Sequence, residues 1–278
     1  MPTENLTFIE PHLLYAVAAV LSFSTASFFY RHFTAQVGAL WTNAFKASVA
    51  WAIFLGISIA GLVDGDRTQL AGLEFKTVSI LLASGLLGLN ISDWLMLRAY
   101  HAIGPARTII VYRFQPLLLA AASYFFWNRA LTTPQWLAIG LLLACVLVLA
   151  RERRAHAGRW DLTGIFLALG AMALDGTGIL LSREAFERLP DLSPNMANLV
   201  RATGALLGFF FISRFLIPIR LLEGFRGLRP RARGYAVFSA ILGAWLGLTF
   251  WLTALKHAEH PAMVSAVGGL SPLFAIFI

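Results

Sequence analysis

Residues 43–50 read NAFKASVA, and residues 198–205 read NLVRATGA. Aligned at an offset of 155, they share Asn, a basic residue, Ala, a hydroxyl residue and Ala. Both stretches lie in runs otherwise suited to hydrocarbon. There, a charge at the centre of a spanning helix costs about 2.5–3.5 kcal/mol. Two such anomalies in the same local sequence point to an internal repeat. Two further matches keep the register. HAIGPA (101–106) answers HAEHPA (257–262) at offset 156, which also pairs Pro116 with Pro272. TASFFYR answers TGILLSR at offset 152, pairing Thr25 with Thr177 and Arg31 with Arg183.

Composition sets the class. Of 278 residues, 58% are hydrophobic and 13% charged, with a mean hydropathy of +0.72. Soluble domains carry nearer a quarter charged residues, so this apolar mass calls for lipid. The runs are continuous and long enough to cross a ~30 Å hydrocarbon layer, which excludes an alternating β-barrel pattern. The sequence predicts an all-α polytopic membrane protein. Nine spans are expected, near 13–30, 38–61, 78–97, 106–127, 133–150, 162–182, 195–217, 235–255 and 261–278. The first has no basic leader or small-residue cleavage pattern and reads as a retained helix. The net charge of +8 sits in short connections such as 151–159 and 220–234, beside anionic lipid rather than nucleic acid. The single Cys145 reads as a packing residue.

The repeat unit holds five spans, 12–151, and recurs over 162–278. An odd count makes the second copy enter the membrane from the opposite side, so the halves are inverted. This is a recurring plan of secondary transporters, with the site between the halves. On that plan a tenth span would follow Ile278.

The passage from Gly85 to Ala150 runs GLLGLNISDWLMLRAYHAIGPARTIIVYRFQPLLLAAASYFFWNRALTTPQWLAIGLLLACVLVLA. It orders a Gly-rich helix, a short A-x-G-P-A connection, a mid-span proline and a turn into an apolar helix. ILGAWLGLTFWLTALKHAEHPAMVSAVGGLSPLFAIFI, from residue 241, repeats most of that order. With these features the chain resembles the EamA-type transporters of the drug/metabolite transporter superfamily. The resemblance implies a cofactor-free secondary transporter of small metabolites or drugs, an exporter or exchanger in a bacterial inner membrane. It departs at Asn128, where the family commonly has Glu, and at Lys46, where the family tends to have Arg; Arg201 keeps the arginine.

Polar groups persist in hydrocarbon only when they face protein, water or a partner. The expected substrate-binding set is Asn43, Lys46, Trp94, Tyr112, Arg113, Gln115, Asn198 and Arg201. Asn43 and Lys46 share one helical face, as do Asn198 with Arg201 and Asn90 with Asp93. Lys46 and Arg201 are expected to flank one central path, favouring an anionic cargo group or an acidic side chain. Asp93 and Asp175 are the candidates for coupling or for charge pairs, Lys46 with Asp93 and Arg201 with Asp175. Pro116 and Pro272 are candidate hinges. The expected partners are the lipid bilayer and a small-molecule substrate, with a homodimer as an option, and neither nucleic acid, metal nor cofactor. The competing readings are an intramembrane enzyme, for which no nucleophile–base set stands out, and a non-transporting scaffold. Basic residues in alternate loops put the N-terminus outside; the resemblance implies a cytoplasmic one.

Overall fold

Proline and short polar side chains open most helices of this chain. Pro11, Pro105, Pro194, Pro230 and Pro261 each stand in the first turn of a helix, where no backbone donor is lost. Asp161 and Ser193 cap their helices by accepting from Thr163 N at 3.2 Å and Met196 N at 3.1 Å. The computed structural model describes residues 10–63, 73–152 and 161–270, and the described residues are helical without strands.

In order, the elements are α1 (Pro11–Val37), α2 (Ala39–Val63), α3 (Phe75–Ser84), α4 (Ser92–Ile103), α5 (Pro105–Tyr112), α6 (Gln115–Trp127), α7 (Thr133–Glu152), α8 (Leu162–Arg188), α9 (Pro194–Phe215), α10 (Leu221–Gly227), α11 (Pro230–Ser239), α12 (Leu248–His257) and α13 (Pro261–Gly268). Two π-helical stretches join α3 to α4 (Gly85–Ile91) and α11 to α12 (Ala240–Gly247), making two long rods. They begin 155 residues apart, the offset of the repeat.

Seven helical rods among the described residues are long and apolar enough to cross a membrane: Pro11–Tyr30, Ala39–Val63, Phe75–Ile103, Arg107–Trp127, Leu162–Arg188, Pro194–Phe215 and Pro230–His257. Nine were expected. The fifth exists as the helix α7, and the ninth begins with α13. Residues beyond 270, including Pro272, lie outside the described residues, as does the side chain of Cys145. Large apolar side chains such as Phe125, Phe126, Phe166 and Phe210 face outward, as a lipid-embedded surface requires.

The helix ends sort the molecule into two faces. The C-terminus of α1 turns through Gly38, at φ 83°, into α2. The start of α2 meets the segment before α10, where Trp41 donates to the Arg220 carbonyl at 3.3 Å. Arg98, Arg214, Arg220, Arg226, Arg229 and Arg231 are exposed here, so this is the arginine-rich face. On the opposite face the end of α2 meets the start of α9, where Asn195 donates to Ser58 Oγ at 2.8 Å.

Packing crosses between the halves. Helix α8 packs along the α3–α4 rod, while α1 packs along the α11–α12 rod, and α2 packs on α9. Between lipid-facing helices no hydrophobic drive operates, so small residues set the closest approaches. A Cβ on Gly85 would strike the Arg201 carbonyl, and one on Gly204 would strike that of Leu82. Gly178 faces Gly88, whose Cα would lie 2.9 Å from an added Cβ. Replacing Gly85 with Ala is expected to cost more than about 2 kcal/mol through backbone overlap. Gly56, with open space around it, should tolerate Ala or gain up to about 1 kcal/mol from helix propensity. Thermal unfolding in detergent compares the two, and equal midpoints would contradict the packing account.

Candidate translocation site

On the arginine-rich side of the molecule's middle lies a cavity of about 180 Å³ between α1, α2, α9 and the two rods. Its polar lining is Ser27, Tyr30, Asn43, Lys46 and Asp93, set among Ala202 and Leu248. Asn43 and Lys46 reach it because they are one turn apart on α2. Asp93 reaches it from the first turn of α4, just after the π-helical stretch. An extra residue per turn re-aims the side chains that follow, a common use of π segments.

Lys46 Nζ and Asp93 Oδ2 stand 3.5 Å apart, with 29% and 22% of their side chains exposed. That is longer than the usual 2.7–2.9 Å of a charge-assisted hydrogen bond. At an effective dielectric of about 20, attraction at this distance is of order 5 kcal/mol, which desolvation of both groups largely offsets. The pair is therefore poised, not locked. The Tyr30 ring lies 5.8 Å from Lys46 Nζ, within cation–π reach. Its hydroxyl donates to the Ser239 carbonyl at 3.2 Å, bridging α1 to α11.

The other sequence-predicted residues lie elsewhere. Gln115 donates to Asp175 Oδ2 at 2.7 Å and accepts from Ser265 at 2.9 Å, joining α6, α8 and α13. Tyr112 meets the Ser92 hydroxyl at 3.1 Å, and Arg113 donates to the Gly268 carbonyl at 3.3 Å. Trp94 lies under the Arg98 guanidinium at 5.2 Å, away from the cavity lining. Pro116 stands in the first turn of α6, just past a tight link at Arg113 and Phe114 that interrupts the Arg107–Trp127 rod. Asn128 adopts φ 53° and closes α6 as a left-handed cap, a role in which Asn is favourable and Glu is not.

Arg201 also departs from expectation. It follows on the helix face about 100° from Ala202, which lines the cavity, and is 3% exposed. It donates to Ser84 Oγ at 3.0 Å and Asn198 Oδ1 at 3.4 Å. Asn198 in turn donates to the Leu248 carbonyl at 3.0 Å. The expected Arg201–Asp175 pair forms no direct salt bridge: Arg201 bonds these neutral partners, Asp175 bonds Gln115, and the two charges act on each other at longer range. Asn90, fully buried, donates to the Ala205 carbonyl at 3.4 Å.

Toward the opposite face the way is closed. Leu81, Phe186, Met196 and Leu252 form one buried cluster there. Outside it, Arg183 donates to the carbonyls of Leu255 and Ala258 at 2.8 and 2.6 Å, capping α12. It also pairs with Glu187 at 2.6 Å, and Glu187 pairs with Arg129 at 3.0 Å. Sequence reasoning had no handle on Tyr30, Ser84 or Ser265, since aromatic and hydroxyl residues are ordinary in such helices. It noticed Arg183 only as a repeat marker.

The model of the EamA-like transporter family matches residues 11–151 and again 162–278. The chain belongs to the EamA-like transporter family. That family lies in the drug/metabolite transporter superfamily, and membership makes the chain an integral, multi-pass membrane protein of the transporter type. A solved crystal structure of a protein, 18% identical, superimposes with a TM-score of 0.71 over 96% of this chain and 86% of its own. That likeness concerns the fold alone. No curated protein matches the chain.

The poised pair makes a stability prediction. Lys46→Gln or Asp93→Asn alone leaves one charge without its partner and should cost about 1–3 kcal/mol at this partial exposure. Changing both should cost less than the sum of the two. Denaturation midpoints in a double-mutant cycle measure the coupling, and strict additivity would show that the two charges do not interact.

Proposed function

We propose that this chain is a secondary transporter that carries a small polar metabolite by alternating access between two inverted five-span halves. The observation that carries the proposal is the cavity: a poised unlike-charge pair, reachable by solvent, with a packed apolar cluster closing the other side. The halves are 12–151 and 162–278. The reading draws support from the double family match and from π-helical stretches at the repeat offset. The exchanged packing of α1 and α8 adds to it.

Sites for drug-sized ligands run about 300–1,000 Å³, so about 180 Å³ favours a small metabolite over a drug. The cargo carries an anionic group, a carboxylate above all, that displaces Asp93 from Lys46, with Asn43 beside it as a neutral hydrogen-bonding group. A cationic or donor group on the same cargo would occupy Asp93 in turn. A rigid clamp would oppose release; a pair held at 3.5 Å with both members partly wet does not.

The arginine-rich face is cytoplasmic on the positive-inside rule. The cavity then loads from the cytoplasm, which makes export or exchange the direction of transport and places the N-terminus outside. Solute exchange by the purified protein in liposomes, screened over small carboxylates and amino acids, tests this. Lys46→Gln and Asp93→Asn are each expected to lower kcat/KM at least about tenfold, the loss of about 1.4 kcal/mol of transition-state stabilisation. Normal transport by both variants would refute the cavity as the cargo site.

A further inference from the structure

Arg201 is a buried cation whose hydrogen-bond partners are neutral. Among the described residues no carboxylate lies within 4 Å of it; Ser84 and Asn198 supply its hydrogen bonds. Buried charges are ordinarily paired or coordinated, because an uncompensated one costs several kcal/mol. In a membrane protein such a group marks a place where something else comes to bind.

The repeat says what that place is. At offset 155, Asn43 and Lys46 of the cavity correspond to Asn198 and Arg201, and the cavity's Gly243 corresponds to Gly88. At offset 152, its Phe23, Ser27 and Tyr30 correspond to Asp175, Ile179 and Ser182. The structure reproduces one of these contacts across the repeat. Tyr30 bonds to Ser239 at 3.2 Å, and the counterparts Ser182 and Ser84 meet at 2.8 Å. The corresponding volume is shut: Gly178 abuts Gly88, and Arg201's carbonyl lies against Gly85. The Leu81–Phe186–Met196–Leu252 cluster and the Arg183–Glu187–Arg129 ion pairs stand between it and the opposite face.

We propose that Arg201, Asn198 and Asp175 form a second cargo site, closed in this structure, in which Arg201 receives the cargo's anionic group when the cavity at Lys46 closes. The inference rests on the transporter reading above and names the site's second position. Its charge content repeats the first, one cation and one carboxylate, although the carboxylate comes from α8 instead of the rod: Leu248 stands where Asp93 would recur. The neutral partners of Arg201 fit the assignment. A carboxylate already seated on the guanidinium would compete with the cargo, whereas Ser84 and Asn198 hold it in place and yield at low cost.

Charged thiol reagents test the site without knowledge of the cargo. In a Cys145→Ala background, Ser182→Cys reports on the site, and Ile179→Cys serves as a second reporter should the first fail to fold. Membrane-impermeant anionic and cationic methanethiosulfonates are added to vesicles from the face opposite the arginine-rich one. The expected result is labelling from that face, at least tenfold faster with the anionic reagent. Arg201→Gln should abolish the preference, and Lys46→Gln should leave it in place. Folding is checked by an Ala47→Cys reporter labelled from the arginine-rich face. Protein that passes this check but shows no labelling at either reporter overturns the proposal, as does labelling with a preference that survives Arg201→Gln. Charge-selective labelling without solute exchange would instead sink the transporter reading while the site stands; exchange without labelling would do the reverse.

Discussion

Close backbone approach at Gly85, Gly88, Gly178 and Gly204 is the constraint on which the rest of this structure hangs. In lipid, apolar burial between helices gains little, since the displaced acyl chains are as apolar as the side chains that replace them. Association then depends on contact area and on hydrogen bonds that lipid cannot supply. Glycines bring α9 and α8 directly onto the α3–α4 rod, and at that range Ser84 can bond both Gly178 and Arg201. That closeness gives the buried arginine an acceptor in Ser84.

The same constraint, met differently in the other half, opens the cavity. Gly243 and Gly247 face the side chains of Tyr30 and Phe23 instead of a neighbouring backbone. A phenol and a phenyl ring hold α1 off the α11–α12 rod where Ser182 and Asp175 allow α8 to close on α3–α4. One repeat therefore encloses polar space and the other is collapsed, although the two share a sequence register. Their difference is a matter of side-chain size at two repeat-related positions more than of helix arrangement.

Much of this was legible in the residues, for reasons that differ by residue. The spans were, because hydrocarbon leaves helices few alternatives. Lys46 and Asp93 were, because an ionised group in a span must meet water or a partner, and each was the other's nearest option. Arg201 was legible as an anomaly but not in its placement: Ala202, one residue on, lines the cavity, and a rotation of about 100° decides which of two neighbours faces it. Tyr30 was hidden among 22 Phe, 8 Trp and 6 Tyr, most of which serve lipid or packing. The π-helical stretches were hidden because an extra residue in a turn leaves no compositional trace in a Gly-rich run. Pro116 was legible as a break in its span but not in the detail. Its place inside an apolar run suggested a kink, and the interruption falls at Arg113 and Phe114, leaving the proline in the first turn of the helix that follows.

The two closures are unequal. Arg183 caps the last carbonyls of α12 and is backed by Glu187, which also holds Arg129 from the first half. At the repeat-related position of Glu187 the first half has Ala35, which carries no acid. The acceptor also differs: α4 ends on Gly104 at φ 84°, while the corresponding turn after α12 holds His260 in an extended conformation. Each 1.4 kcal/mol of such inequality shifts a two-state population tenfold. Against this, the Arg183 Nε is buried without a partner, a cost that opening to water would relieve. An ion-paired clasp with one unmet donor closes the opposite face firmly enough to favour the state seen here.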